Sequence, residues 1–500
     1  MRRSTLRETA EIDNRPLDIG LNATATRPHD PFEPAQIETL IGTAKIYLND
    51  IGIRFEPGTE ADVLFAVAGC HVGDDGVVHI PPEVVDAALD RCAKSTMLWD
   101  RDGRRAIDID TRHTWFMPGM TCIKVPDLET DALRDSTYDD LAAIARIADG
   151  LPNIDAVCVA CKDVPNSNLG GEIGDFLCLI DNTTKPLEYL CEQTAALEAA
   201  IEMAALLRGG RAEPHAQPSF LHLVTPLPVN VATSHIEQIL VGARAGVPLS
   251  VGTLAIGGAS SPITVAGCIA QCLATDLAAL VLGQLARPGA FCVGSSNGYF
   301  MEAATGGIGN NTQLMLGEQM ICQCRRHLGL PSFTGIGGDA KSPRFDQDAV
   351  WEISTLMTQQ FFTRPATCDY LGSIDQGITF SLHALLLCHD LAGMLRQLWQ
   401  GAVFDRDGLA YDVMADVGPF GHFLGHTHTA AHCREANWAS AYFGARAPLS
   451  TNDLPAQSLF ARIDADLRAR LRAEPCAPLP GDLRAALSEI HHRYSAGEAQ

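Results

Sequence analysis

The sequence predicts an α/β fold, a (β/α)8 barrel with an N-terminal α+β extension and C-terminal helical additions. From about residue 137, short apolar segments alternate with segments of helical periodicity, and strands that alternate with helices form a parallel sheet. Eight such strand–helix units can be counted, which is the number that closes a barrel. The length of 500 residues exceeds one ordinary domain but suits a barrel with additions.

The predicted barrel strands are short apolar runs bounded by turn residues. They lie at 154–160, 186–191, 220–225, 248–253, 290–295, 331–336, 367–372 and 377–381. The segments between them carry helix-end signals: Thr137 with Asp140, and Ser234 with Glu237, have capping-box spacing, and Gly246 is a stop signal. A helix is therefore predicted in each gap.

Four segments follow from composition and periodicity. A polar arm is predicted for 1–34, the α+β extension for 35–135, the barrel for 136–400, and a segment covering the barrel and ending in helices for 401–500. Within the extension, the run HVGDDGVVHI predicts a hairpin that turns at Asp74–Asp75–Gly76. The run PPEVVDAALDRCA predicts a helix with prolines in its first turn.

Charge and cysteine usage narrow the class of protein. The net charge of −23 argues against a nucleic-acid partner, because a binding protein must neutralise phosphates. The N-terminus lacks the apolar run of a secretory signal, and no membrane span is expected. Sixteen cysteines in such a chain indicate buried thiols in a reducing cytoplasm. Cys158 and Cys161 lie on one predicted strand and face opposite sides, which disfavours a chelating pair.

The carboxyl ends of the predicted strands define a candidate active site, because barrel enzymes place their chemistry there. The polar residues at those ends include several carboxylates and little positive charge. They are Lys162, Asp163, Glu192, Gln193, Thr225, Thr253, Ser296, Asn297, Asp339, Ser373, Asp375 and Gln376. Such a ring favours a cationic ligand, although strand ends are polar in many soluble proteins.

The loop NGYFMEAATGGIGNNTQ, residues 297–313, combines aromatic rings with a carboxylate. Tyr299, Phe300 and Glu302 lie together near its start. Aromatic faces and a carboxylate can enclose an ammonium group through cation–π attraction. The alternative is that Tyr299 and Phe300 belong to the core.

The stretch SFTGIGGDAKS, residues 332–342, is one residue away from a phosphate-binding loop. Ala340 replaces the glycine before Lys341, Asp339 would face the phosphates, and Pro343 lacks an N–H group. We therefore interpret the glycines as the sharp turn after a barrel strand. Asp339 becomes a candidate for contact with a cation.

The stretch GHFLGHTHTAAHC, residues 421–433, is rich in histidine. His422 and His426, like His428 and His432, are four residues apart, which on a helix can chelate zinc. Glycines flank the first pair, and no glutamate lies between the histidines as in zinc proteases. We expect a structural loop over the barrel mouth rather than a metal site.

Several motifs together resemble the trimethylamine:corrinoid methyltransferase family, in its pyrrolysine-free branch. They are DIGIRFE, HIPPEVVDAALDRC, WDRDG, PDLETDALRDSTYDDLAAIARIADGLPNID, GGDAKSPRFDQDA and DVGPFGHFLGHTHTAAHCR, spread from about residue 35 to 445. The resemblance implies a (β/α)8 TIM barrel without bound nucleotide. It also implies that a separate small corrinoid-binding protein presents its cobalamin at the barrel mouth.

The resemblance implies methyl transfer from a quaternary amine, such as glycine betaine, to the Co(I) of the partner protein. A quaternary nitrogen leaves as a neutral amine, so the protein need only hold the cation and aim one methyl group. The expected substrate-binding residues combine aromatic rings, carboxylates and polar donors. They are Tyr299, Phe300, Glu302, Phe333, Asp339, Tyr370 and Phe423, with Glu192, Asn297, Gln376 and His422 in support.

Two alternatives remain open at the level of sequence. One is a metal-dependent barrel hydrolase or lyase with zinc at His422, His426 and His428. The other is a non-catalytic betaine-binding protein that has kept only the barrel. For the methyltransferase we expect a cytoplasmic homo-oligomer without a tightly bound cofactor.

Overall fold

The computed structural model describes residues 26–209, 217–309, 312–434, 436, 438–443, 458–472 and 478–497. Most of the predicted arm at 1–34 lies outside the described residues. The division of the chain into four segments stays a prediction, whereas the fold class is confirmed below.

Eight parallel strands form the centre of the molecule. They are β1 (Trp115–Pro118), β2 (Val157–Cys158), β3 (Leu187–Tyr189), β4 (Phe220–Val224), β5 (Leu249–Val251), β6 (Cys292–Gly294), β7 (Phe333–Ile336) and β8 (Thr367–Leu371). Strands β2 to β6 pair in chain order, and β7 pairs with β8, which pairs with β1. The pairing order is therefore that of a barrel.

Two junctions join these runs into a ring. Between β1 and β2, the Asp155 N–H donates to the Phe116 carbonyl at 2.8 Å, and Cys122 and Cys161 form a parallel bridge. Between β6 and β7, the rings of Phe291 and Phe333 meet edge to face, 6.4 Å apart. The protein is a (β/α)8 barrel, as predicted.

The position of one barrel strand was predicted wrongly. The segment predicted as the eighth strand, 377–381, contains only the strand Thr379–Phe380, which pairs antiparallel with Ser373–Ile374 and parallel with Lys124. The missing barrel strand is β1, which pairs with β8. It is only four residues long and lies inside the segment predicted as the extension, so no strand–helix rhythm marks it.

A helix follows each barrel strand. These helices are Tyr138–Asp149, Leu169–Asn182, Thr194–Leu207, Thr233–Ala245, Val265–Ala286, Thr312–His327, Gln347–Thr363 and Leu382–Gln400. The capping box of Thr137 and Asp140 is confirmed, and Gly246 ends its helix at φ 72°. The predicted box at Ser234 is wrong: that helix begins at Thr233, and Glu237 accepts a hydrogen bond from Thr194 instead.

The N-terminal extension is an α+β unit that packs against the barrel helices. Its helices are Pro34–Asp50, Glu60–Val67 and Pro82–Arg91, and its strands are Ile53–Phe55, His71–Val72, Val77–His79, Thr96–Trp99 and Ala106–Ile109. The predicted hairpin is confirmed, since His71–Val72 pairs antiparallel with Val77–His79. Asn230–Val231 from the barrel joins this sheet. The extension is thereby joined to the barrel through backbone hydrogen bonds.

Additional strands surround the carboxyl ends of the barrel strands. One small sheet contains Leu254–Gly257, Asn297–Met301 and Ile308–Gly309, and another contains Lys124–Pro126, Leu133–Asp135, Ser373–Ile374 and Thr379–Phe380. The chain ends in the short helices Arg406–Leu409, Tyr411–Val417 and Thr427–His432 and the longer helices Leu459–Leu471 and Gly481–Ser495.

The hydrophobic core lies between the strands and the ring of helices. Helix Val265–Ala286 has the length and hydropathy of a membrane span, but 78% of its most apolar window is buried inside the protein. It packs against helices of the extension and of the barrel, so it is a core helix. Among the described residues, the cysteines are free thiols, and all of them except Cys433 are buried.

Candidate active site

The barrel strands enclose an inner cavity of about 60 Å³ at their carboxyl ends. Residues on or directly after seven of the eight strands line it. They are Met120, Glu188, Leu223, Thr225, Ser250, Gly252, Thr253, Leu254, Ser295, Asn297, Phe333, Ile336, Asp369 and Tyr370. The site is therefore where a barrel enzyme carries its chemistry.

Two carboxylates belong to the strands themselves. Glu188 lies in the middle of β3, and Tyr189 beside it faces outward, where its hydroxyl donates to the Glu172 carbonyl at 3.0 Å. Successive strand residues face opposite sides, so Glu188 points into the cavity. Asp369 on β8 lines the same cavity.

Neither carboxylate is neutralised by a described cationic side chain. Oε2 of Glu188 and Oδ1 of Asp369 are buried without a hydrogen-bond partner among the described residues. Oδ2 of Asp369 accepts a hydrogen bond from the Thr367 hydroxyl at 3.1 Å. Among the residues that the structure describes, the lining of the inner cavity contains no arginine and no lysine. A ligand with a positive charge would supply the missing partner.

Burial makes both carboxyls hard to ionise, and repulsion from Asp369 adds to this effect at Glu188. Burial raises the pKa of Asp369 to about 7. Burial, and then repulsion from Asp369, raises the pKa of Glu188 well above its usual range. Charged carboxylates are disfavoured in a low-dielectric site unless a cation compensates them. The free site therefore holds protons near neutral pH that a bound cation would expel.

Three hydroxyl groups lie on the wall formed by β5 and β6. Ser250, Thr253 and Ser295 line the cavity, and their hydroxyl oxygens are buried without a hydrogen-bond partner among the described residues. A buried hydroxyl that lacks a partner costs free energy. These groups are therefore available to donate hydrogen bonds to a polar ligand.

An outer cavity of about 140 Å³ continues the inner one toward the mouth. Leu254 and Tyr370 line both cavities, and the outer one adds Ile256, Tyr299, Ile308, Asp339 and Gln376. Burial, with repulsion from Glu352 and Asp375, raises the pKa of Asp339 to about 7. Burial also raises the pKa values of Tyr299 and Tyr370, which keeps both phenols protonated.

Strained backbone is concentrated at this mouth. Tyr370, Asp375 and Gln376 have φ values of 63°, 56° and 56°, in the left-handed region that only glycine adopts at little cost. Such strain persists only where surrounding contacts enforce it. Here the Asp375 N–H donates to the Ser342 carbonyl at 2.9 Å, and the Gln376 N–H donates to the Ala340 carbonyl at 3.0 Å. The turn at 339–342 and the turn after β8 thus hold each other in place.

The structure brings six of the predicted site residues to the two cavities. Asn297, Phe333 and Tyr370 line the inner cavity, and Tyr299, Asp339, Tyr370 and Gln376 line the outer one. These residues lie on or near the ends of strands, as the sequence predicted.

The structure places the other five predicted residues elsewhere. Phe300 is buried in the core against helix Val265–Ala286. Its ring also packs closely on Gly257, where a side-chain Cβ would lie only 2.5 Å from the ring. Glu302 forms an ion pair with Lys341 at 2.7 Å. Glu192 is exposed, and its carbonyl accepts a hydrogen bond from Gln238. The remaining two, His422 and Phe423, are exposed in the segment that follows the barrel.

The near-phosphate loop at 332–342 is occupied by the protein's own groups. The backbone N–H groups of Lys341 and Ser342 donate to the Glu352 carboxylate at 2.7 and 3.1 Å. The ammonium of Lys341 pairs with Glu302. The turn is therefore held by contacts within the protein and forms part of the barrel mouth, in agreement with the interpretation of its glycines as a sharp turn after a barrel strand.

Sequence reasoning missed the two deepest carboxylates. Glu188 and Asp369 lie within the runs PLEYLC and TCDYLG, inside the strands and before their carboxyl ends. The signal was present, since an acidic residue inside an apolar strand is costly unless it has a function. Ser250, within PLSVGT, carries the same signal in weaker form.

Comparison with known proteins decides the family. The family model described as trimethylamine methyltransferase (MTTB) matches residues 2–497. The chain belongs to the trimethylamine methyltransferase family. The resemblance seen in the sequence is thereby confirmed, and the protein is a methyltransferase.

Curated relatives are similar in sequence to this protein over most of the chain. Trimethylamine methyltransferase MttB of Desulfitobacterium hafniense (strain DSM 10664 / DCB-2) is 28% identical over 392 residues, 77% of each chain. MttB of Methanosarcina barkeri is 28% identical over 417 residues, covering 81% of this chain and 83% of the relative. The glycine betaine methyltransferase of D. hafniense (strain Y51) is 27% identical over 400 residues, covering 79% and 82%.

Solved structures of monomethylamine methyltransferase MtmB are also similar to this chain. The M. barkeri enzyme has a TM-score of 0.48 and 11% identity, covering 87% of this chain and 92% of the other. Its complex with hydroxylamine has the same score and identity, covering 88% and 92%.

The hydrolase or lyase alternative is not supported. No histidine lines either cavity among the described residues, and all four histidines of 421–433 lie outside both linings. Membership of a methyltransferase family points to group transfer in the barrel instead.

Proposed function

We propose that this methyltransferase moves a methyl group from a quaternary amine of the glycine betaine type to Co(I) in the corrinoid of a small partner protein. The observation that carries the proposal is the acidic inner cavity, where Glu188 and Asp369 lack a cationic partner among the described residues. A permanent cation would compensate a negative charge on this pair and cannot lose its own charge by giving up a proton.

The aromatic lining supports the same ligand. Phe333 and Tyr370 line the inner cavity, and Tyr299 lines the outer one. Ring faces attract quaternary ammonium groups, which have no N–H to donate and are therefore recognised by π faces and carboxylates. A protonated amine would instead be expected to donate hydrogen bonds directly to carboxylate oxygens.

The hydroxyl wall supports a zwitterion rather than a simple cation. Ser250, Thr253 and Ser295 lie on strands β5 and β6 or directly after them, whereas Glu188 and Asp369 lie on β3 and β8. We assign the trimethylammonium end of the substrate to the carboxylates and its carboxylate end to the hydroxyls. Because the described lining contains no arginine or lysine, these neutral donors are the groups suited to an anionic end.

A corrinoid presented at the mouth would supply the nucleophilic cobalt that accepts the methyl group as the bond from that group to nitrogen breaks, and the protein's task is to orient the substrate for it. The carboxylates and rings would fix the ammonium, so that one methyl group faces the outer cavity on the side of Leu254 and Tyr370, which line both cavities. No general acid is required, because the nitrogen leaves as a neutral tertiary amine. Orientation of this kind lowers the barrier largely by reducing the entropy cost.

An exposed apolar rim at the mouth suits the docking of a partner. Large apolar side chains stand exposed after strands β1, β4, β5, β6 and β8. They are Ile123, Leu227, Leu254, Ile263, Met301 and Ile378. Exposed apolar side chains grouped on one face can mark an interaction surface, and these residues follow strand ends on the face where the methyl group would leave.

The test supplies purified protein with cob(I)alamin and, in turn, glycine betaine, carnitine, proline betaine and trimethylamine, and follows methylcobalamin absorbance. Turnover with a quaternary amine is expected, and its loss in Glu188→Gln. Glu318→Gln is the matched control, because Glu318 is equally buried but lines neither cavity. Turnover with trimethylamine alone would overturn the substrate class, and binding without transfer would favour the non-catalytic alternative.

A further inference from the structure

The segment at 401–434, which we call the C-terminal lobe, has no core of its own. Its three short helices, Arg406–Leu409, Tyr411–Val417 and Thr427–His432, contain no buried residue. Segments shorter than about 40 residues rarely hold a fold by hydrophobic burial alone, and metals are one common remedy. The lobe therefore requires another source of stability.

Three metal-binding side chains meet inside this lobe. His428 and His432 are four residues apart on helix Thr427–His432, with ring centroids 4.4 Å apart. Asp407, on the first short helix, lies 3.1 Å from Nε2 of His432 and 4.0 Å from Nε2 of His428. One ligand atom from each residue lies within 4.8 Å of the others.

We propose that Asp407, His428 and His432 form a structural site for zinc or a similar divalent transition metal. Two imidazole nitrogens and a carboxylate oxygen are a donor set that zinc prefers. With metal–ligand bonds of about 2.0–2.2 Å, ligand atoms around a tetrahedral ion lie roughly 3.4 Å apart. The observed spacing is close to this, so small rotations of the side chains complete the set, and water takes the fourth position.

The site uses the second histidine pair noted in the sequence and adds Asp407. It differs from the zinc site of the hydrolase or lyase alternative, which was placed at His422, His426 and His428. Of the histidines in that alternative, only His428 contributes; His426 instead faces Asp416 at 3.5 Å, and its Nδ1 accepts a hydrogen bond from the His428 N–H. The cluster joins the first short helix of the lobe to the third, outside both barrel cavities. A metal there would pin the two ends of the lobe together, and its binding energy would become folding energy. The inference does not depend on the proposed methyl donor.

Metal content is measured on the full-length protein after dialysis against chelator and reloading with zinc. Stoichiometric zinc is expected in the parent protein, and its loss in His428→Ala and His432→Ala. His422→Ala is the matched control, since His422 lies in the same lobe outside the cluster. Cobalt(II) loading gives a second readout, because tetrahedral nitrogen and oxygen ligands produce visible d–d absorption that both cluster variants should lose.

Limited proteolysis tests the structural role. Zinc is expected to protect the lobe from cleavage in the parent and in His422→Ala, but not in His432→Ala, while the circular dichroism of the barrel stays unchanged in all three. Absence of zinc from the reloaded parent would overturn the proposal. Equal zinc in the parent and in both cluster variants would place the metal elsewhere and would overturn it too.

Discussion

Replacing Asp369 by asparagine should stabilise the free protein and weaken substrate binding at once. The pKa of Asp369 is raised from 3.8 to about 7 by burial. At about 1.4 kcal/mol for each unit of pKa, ionising this group in the folded protein costs about 4 kcal/mol more than in the unfolded chain. Asparagine has almost the same shape and no charge, so the variant avoids this cost.

The sign of the effect depends on pH. A carboxyl whose pKa is raised by folding favours the folded state at low pH, and this contribution is lost as pH rises through about 7. Urea titrations should therefore show the variant more stable than the parent by up to about 4 kcal/mol near pH 8, with little difference near pH 4. Calorimetry with glycine betaine should show weaker binding by the variant in the alkaline range.

Glu318→Gln separates the effect of a buried carboxyl on stability from its effect on betaine binding. Burial raises the pKa of Glu318 to about 8, so this variant should also gain stability at alkaline pH. Because Glu318 lines neither cavity, its betaine affinity should match that of the parent. The reasoning is refuted if Asp369→Asn folds normally yet gains no stability near pH 8, or if it binds betaine as tightly as the parent.

Three further predictions concern the cavities and the barrel wall. Asp369 and Asp339 have pKa values of about 7 in the free protein, so betaine affinity should fall as pH drops below about 7. Calorimetry in buffers of different ionisation enthalpy should then detect the release of protons when betaine binds. Gly252→Ala should lower the melting temperature, because the new Cβ would lie 2.2 Å from backbone atoms of Ser295 and Ser296. Gly425→Ala is the control and should leave the melting temperature unchanged, because no atom lies within 4 Å of the Cβ position at Gly425. Tyr370→Leu should weaken betaine binding by about 1 kcal/mol, because the face of the aromatic ring attracts the cation. Tyr370→Phe keeps the ring and should bind betaine as the parent does, and equal affinities of the two variants would contradict this.

The barrel could be predicted because its rhythm is local. Seven of its strands are apolar runs between helical segments, and each helix carries its own signals, such as the box at Thr137 or the stop at Gly246. Strand β1 escaped because a four-residue run inside a different predicted segment has no such rhythm. Its place in the sheet is set by pairing with β8, about 250 residues away.

The site could be predicted only in part, because sequence places residues near the mouth without giving their direction. Asn297, Asp339 and Gln376 were found by their positions at strand ends. Tyr299 and Phe300 are neighbours on the strand Asn297–Met301, so only one of them could face the cavity, and the sequence does not show which. The interior acids Glu188 and Asp369 needed the three-dimensional arrangement to show that they share one cavity.

The two cavities are arranged in series, with Leu254 and Tyr370 between them. If the corrinoid protein docks on the apolar rim, it covers the outer cavity while the substrate lies behind it. The amine must then enter before the partner docks, and the demethylated product must wait until the partner departs. Steady-state kinetics should consequently follow a compulsory order, in which excess partner protein slows turnover by trapping the product.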